Sequence, residues 1–220
     1  MDGIATGAEK GPTLDEVLQR RRSVRTFKEQ TPPPHLVEEV LQAGMLAPYA
    51  ALAGGTPADC RRFFVFTRGT VSHRKAEELM RRQVAKNAFK LAIAVRIVPA
   101  MRRKARPFAE RVRGFAQNGI PAFKTAPYLV VVAERRGFPP AQKQSIAHAM
   151  ENMWLKATAL GLGFHLFSAV GMMADNRAFA ELLGLPPGEF EIDGCAMGYP
   201  GGQPVPREPV FATQVTRWME

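Results

Sequence analysis

Cysteine is nearly missing from this chain. The two present, Cys60 and Cys195, lie far apart in dissimilar surroundings. They leave room for at most one disulfide and exclude both a disulfide framework and a CxxC motif, so two free thiols in a reducing cytoplasmic setting are expected. Histidine is almost as scarce, with His35, His73, His148 and His165 scattered along the sequence. Only His148 and Glu151 stand one helical turn apart. That pair is at most half of a metal site, so no metal is expected. Long apolar runs are lacking too. AFKLAIAVRIVPAM (88–101) is interrupted by Lys90, Arg96 and Pro99 and is too short to span a bilayer. The opening MDGIATGAEKGPT has no apolar stretch of the secretory kind, and residues 1–12 read as a flexible N-terminus. A membrane partner is therefore not expected.

Several chemical signatures are also absent. No G-x-S-x-G elbow and no cysteine with a nearby histidine suggests a hydrolase nucleophile, and no GxxxxGK[ST] loop cradles a phosphate. GLGFHL (161–166) opens like a dinucleotide fingerprint. Leu166 stands where the third glycine belongs, and the stretch follows a helix instead of a strand, so it reads as a helix stop and a strand start. Nucleic acid is not expected as a partner, because no RNP-like aromatic strand, GxxG clamp or zinc knuckle supports it. RRKARPFAERVR (102–113) reads as a solvated helix face.

What the chain does have is positive charge: 30 Lys and Arg against 20 Asp and Glu, a net +10 over 220 residues. An anionic partner is implied. The densest cluster is RRRSVRTF (20–27), in which four arginines and a serine share eight positions. Thr13 and Glu16 form a capping-box start for a helix whose C-terminal end carries the cluster, where the helix dipole favours cations. After the break at TPPPH (31–35), Leu36, Val37, Val40, Leu41 and Met45 mark a second helix that stops near Pro48. RFFVFT (62–67), YLVVVAE (128–134), FHLFSAV (164–170) and FEIDGCAMGYP (190–200) read as strands, the second most strongly because its β-branched run is unbroken. A long helix is expected from Pro140 to Leu160 and another over 175–184. Residues 72–118 look helical but show no clean apolar period. The tail GGQPVPREPVFATQVTRWME carries three prolines and reads as an extended arm. Helices and strands mix without a βαβ rhythm, which gives one α+β domain over 13–220.

Four segments in order then resemble one family. RRSVRTF (21–27) followed by LVEEVLQAGMLAP (36–48) resembles the opening of the nitroreductase family. TAPYLVVVAE (125–134) is similar to its central strand, AHAMENMWLKATALGLGFH (147–165) to its long central helix, and CAMGYPGGQPVPREPV (195–210) to its closing strand and tail. The resemblance implies a three-layer sandwich, a mixed central sheet of four or five strands flanked by helices, and a C-terminal arm that wraps the partner. It also implies an FMN-dependent oxidoreductase, a homodimer with flavin at the subunit interface, and NAD(P)H as electron donor in a ping-pong two-electron reduction of a small organic acceptor such as a nitro compound or quinone. Carried onto this sequence, Arg21 and Ser23 would hold the FMN phosphate, Arg22 would lie along the ribityl and phosphate, and Arg25 would approach the pyrimidine edge. Arg207 would add a basic phosphate ligand. Ser168 and Ala169 would pass the flavin N5 edge, and Pro48, Tyr49 and Ala50 would take the first pocket positions. No side-chain acid or base is expected to be catalytic.

One departure stands out. Where the family continues with a Ser-rich, Asn-containing loop ending in Gln-Pro-Trp, this chain has the longer YAALAGGTPADCRRF (49–63). Residues 72–120 are expected to form a helical cover over the pocket that favours anionic substrates. Two further readings stay open beside the first: a divergent member that dehydrogenates a specific metabolite, and a flavin-free basic binding protein on the same fold.

Overall fold

The unbroken apolar run YLVVVAE is the spine of the sheet. A computed structural model describes residues 11–49, 55–202 and 211–219. Strand β2 (Tyr128–Arg135) pairs on one side with β1 (Arg61–Thr67) and on the other with β4 (Phe190–Gly198). The far edge of β4 takes β3 (Gly163–Leu166), so the order is β1-β2-β4-β3 with every pair antiparallel. Among the described residues the parallel component of the sheet is one bridge, Ser23 with Phe164, at the edge beyond β3. There the Val24 N–H donates to the Phe164 carbonyl at 3.0 Å. The arginine segment thus runs beside the sheet as a short fifth neighbour.

Because side chains alternate along a strand, β2 feeds two cores. Tyr128, Val130 and Val132 pack with α2 (Pro34–Met45) and α7 (Gln142–Ala159), which contributes Met150, Met153 and Trp154. Leu129, Val131 and Ala133 face Met80 and Val84 of α4 (Val71–Ile97) and Phe179 of α8 (Arg177–Leu183). The three central valines are wholly buried, and each contributes about 1.5–3 kcal/mol of transfer free energy. Helix, sheet and helix form three layers.

The local signals act as their chemistry dictates. Helix α1 (Leu14–Arg20) opens on a complete capping box: Thr13 Oγ1 accepts from the Glu16 N–H at 3.3 Å and Glu16 Oε2 accepts from the Thr13 N–H at 2.7 Å. Pro34 starts α2, where a missing N–H costs nothing. The single turn α3 (Pro57–Cys60) leads into β1. Gly161 and Gly184, both at positive φ (72° and 65°), follow the ends of α7 and α8.

The stretch without a clean period forms two helices, α4 and α5 (Pro99–Asn118), which pack on each other and are followed by the short α6 (Pro121–Thr125). With 27 residues, α4 is about 40 Å long and outruns even the nine-residue β4, which spans about 30 Å. Its first half buries His73, Ala76, Met80 and Val84 at helical spacing. Its second half leaves the sheet behind, and Phe89, Ile93 and Ile97 are exposed. The period is real in one half and unused in the other.

One strand is shorter than expected. FHLFSAV pairs only as far as Leu166 opposite Cys195. Phe167 to Val170 then form a turn closed by the Val170 N–H on the Phe167 carbonyl at 2.9 Å. The chain turns there because Val170 folds onto Gly194, where a Cβ would stand 2.7 Å from the Val170 methyl. Among the described residues no helix is long and apolar enough to cross a membrane.

Candidate functional site

The arginine segment is held by one face of α7. Glu151 and Trp154, one turn apart, both reach Arg21: Glu151 Oε1 lies 3.3 Å from its Nε, and its guanidinium lies over the Trp154 ring at 4.2 Å. The indole N–H of Trp154 donates to the Arg22 carbonyl at 3.2 Å. Arg22 Nη1 donates to the carbonyls of Gln19 and Arg21 at 2.6 and 2.7 Å. Ser23 is exposed. His148 is exposed as well, and Glu151 is engaged with Arg21.

Arg25, further along this segment, lines a cleft of about 350 Å³. One wall comes from β3 and its turn, with His165, Leu166, Phe167, Ser168 and Ala169. The opposite wall comes from α4 and α5, through Asn87, Phe108, Arg111 and Phe115. The cleft therefore brings together Arg25, Ser168 and Ala169, three of the residues singled out from sequence.

Three polar groups of its lining residues lack partners among the described residues. His165 Nδ1 is buried without a hydrogen bond, and burial, reinforced by the nearby Arg25 charge, pushes its imidazole pKa down. The Ser168 and Ala169 N–H groups, central in the turn, donate to no acceptor. A cleft with largely apolar walls and a few polar lining residues suits a flat, polar-edged ligand. Among the described residues neither a carboxylate nor a cysteine lines it, so these offer no paired carboxylates or thiol nucleophile.

Pro48 and Tyr49 lie outside this cleft. They sit beyond the opposite end of β2, where the Tyr49 hydroxyl donates to the Arg135 carbonyl at 2.7 Å. Arg61 fixes this corner. Its Nε pairs with the wholly buried Glu134 at 2.6 Å, Nη1 donates to the Gly44 and Ala47 carbonyls at 2.6 and 2.9 Å, and Nη2 donates to the Pro48 carbonyl at 3.2 Å and to Ser145 Oγ at 3.1 Å. Ser145 in turn donates to the Pro48 carbonyl at 3.1 Å. Ala50 and Arg207 lie outside the described residues.

A model of the nitroreductase family matches residues 18–199. The chain belongs to the nitroreductase family. Its fold is similar to that of an FMN-bound nitroreductase from Bacteroides fragilis, with a TM-score of 0.67 and 23% identity over 95% of this chain and all of that one. It is similar too to a BluB-like flavoprotein from Clostridium difficile, with a TM-score of 0.66 and 21% identity over 96% of this chain and all of that one. An FMN- and NADPH-dependent nitroreductase variant from a Sphingopyxis strain matches with a TM-score of 0.61 and 19% identity, covering 94% of this chain and 99% of that one. At these identities the likeness is one of fold. No curated protein sequence matches.

Within this nitroreductase fold, reading the sequence expected a helical cover over 72–120 but did not single out the residues by which it lines the cleft, and it missed the grip of α7 on Arg21. Both left a signal. Phe108, Arg111, Val112 and Phe115 recur at i, i+3, i+4 and i+7, one face of a helix, and Glu151 and Trp154 stand three apart. Arg61 gave no such signal, because its partner Glu134 is 73 residues away.

Proposed function

We propose that this member of the nitroreductase family is an FMN-dependent oxidoreductase that uses NAD(P)H for the two-electron reduction of a small organic acceptor in a ping-pong cycle. The observation that carries this reading is the cleft that gathers Arg25, His165, Ser168 and Ala169 between largely apolar walls, the last two with N–H groups unbonded among the described residues. The residues present fit FMN. When bound, the cofactor supplies the hydride chemistry, and the protein supplies orientation and charge. Arg25 is the cation for the pyrimidine edge of the ring. Ser168 and Ala169, as turn residues with unused N–H groups, meet its N5 side. Arg21, Arg22 and Ser23 serve the phosphate, joined by Arg207. For a nitro acceptor the net reaction is RNO₂ + NAD(P)H + H⁺ → RNO + NAD(P)⁺ + H₂O.

The energetics favour handing Arg21 to a phosphate. Its ion pair with the half-exposed Glu151 is a surface pair worth about 0–1 kcal/mol. A charge-assisted bond to a phosphate oxygen contributes about 1.5–3 kcal/mol. Pro48 and Tyr49, remote from the Arg25 cleft in their own chain, serve the second subunit of a homodimer whose flavins lie at the interface.

The test is the visible spectrum of the purified protein before and after anaerobic NADPH or NADH, with the released cofactor identified. A flavin spectrum that yields FMN and bleaches with a donor is the expected result. Arg21→Ala should weaken FMN binding by about 1.5–3 kcal/mol, or roughly 10- to 150-fold in Kd. A colourless protein that refuses added FMN would overturn the reading, and a yellow one that neither donor reduces would favour a flavin-dependent dehydrogenase.

A further inference from the structure

The cleft holds two guanidinium groups, and the flavin reading uses only one. Arg25 stands on the sheet wall beside His165, while Arg111 stands on the α5 wall, on the same helical face as Phe108 and Phe115. Three other arginines of the two covering helices are tied down, Arg106 with Glu110 at 3.0 Å and Arg81 and Arg82 both with Glu78, while the exposed Arg113 does not line the cleft. Among the described residues Arg111 has no hydrogen bond or ion pair and no aspartate or glutamate lines the cleft. Phe108, one turn before it, is 57% exposed. A planar cation and an uncovered ring thus adjoin at one wall, facing the turn of Ser168 and Ala169.

We propose that Arg111 is the specificity-determining residue of this cleft and that the preferred acceptor is an aromatic carboxylate, its ring against Phe108 and Phe115 and its carboxylate on the Arg111 guanidinium. This rests on the flavin reading above. Guanidinium and carboxylate match as two planar forks, which gives a directional pair where a lysine would give only a point charge. Since no carboxylate among the described residues lines the cleft, a ligand carboxylate meets Arg111 without displacing a partner there. A phosphate of the electron donor is the other anion that reaches this cleft, so the experiment separates the two.

FMN-loaded protein is titrated calorimetrically with benzoate and with benzyl alcohol. It is also assayed with 4-nitrobenzoate and 4-nitrobenzyl alcohol as acceptors and with NADPH as donor. Benzoate is expected to bind at least tenfold more tightly than the alcohol. Arg111→Gln should reduce the 4-nitrobenzoate to 4-nitrobenzyl alcohol ratio of kcat/KM at least tenfold, mainly through KM for the acid, as lost uniform binding requires. Arg111→Lys should restore part of the ratio and Arg111→Glu should lower it further. Equal binding of the two probes, or a variant that changes both acceptors alike, would overturn the proposal. So would an effect confined to the KM for NADPH, which would give Arg111 to the donor. Protein that takes up no FMN at all would instead overturn the flavin reading beneath it.

Discussion

Replacing Arg61 by Ala would test whether the corner that carries Pro48 and Tyr49 depends on one buried side chain. Arg61 is 5% exposed and Glu134 is wholly buried. The guanidinium satisfies one carboxylate oxygen, three carbonyls from the end of α2 and the segment after it, and the Ser145 hydroxyl. Truncation leaves the Glu134 carboxylate in the protein interior without its cation. Breaking such a pair by removing one partner costs about 3–5 kcal/mol. For a domain of this size each kcal/mol shifts Tm by about 2–4 °C, so the variant should melt roughly 6–20 °C lower by calorimetry or circular dichroism. The double variant Arg61→Met with Glu134→Leu removes the charge along with its counter-charge and should recover most of the loss. The coupling between the two sites is then the difference between the double variant and the two single ones. A fall below 2 °C for Arg61→Ala, or a double variant no better than the single, would refute the reasoning.

Two other perturbations test the edge of the sheet and the second core. Gly163→Ala places a Cβ 2.7 Å from a Val24 methyl, and such overpacking costs about 1–3 kcal/mol. Both Tm and FMN affinity should fall together, because Val24 carries Ser23 and Arg25 with it; adding Val24→Ala should rescue both, and a failed rescue would refute the contact. His73 is buried against Phe123, with ring centroids 4.6 Å apart, and burial holds its pKa below 6.5. A depressed folded-state pKa means that the unfolded chain binds the proton first, so this stability is present above pH 6.5 and is lost as pH falls toward the lowered value. His73→Phe should flatten the slope of Tm against pH in that window, and an unchanged slope would show that other groups set it.

The sequence by itself determined whatever rests on local chemistry or on a period. The Thr13 and Glu16 capping box, the proline start of α2, the glycines that follow α7 and α8, and the alternating β2 that feeds two cores all form where their residues dictate. The arginine segment was legible as a dense basic cluster of four arginines in eight positions, and its expected role at a phosphate came from the resemblance and not from its charge. Only the tertiary structure decided which arginine goes where. Trp154 and Glu151 take Arg21 to one side of β3, while Arg25 turns into the cleft. It alone revealed that α4 outruns the sheet, that FHLFSAV turns after Leu166 because Val170 must cover Gly194, and that Arg61 and Glu134 meet across 73 residues. Those outcomes depend on how much surface a neighbour leaves open and on pairings between distant segments, and neither quantity is written in any local stretch of chain.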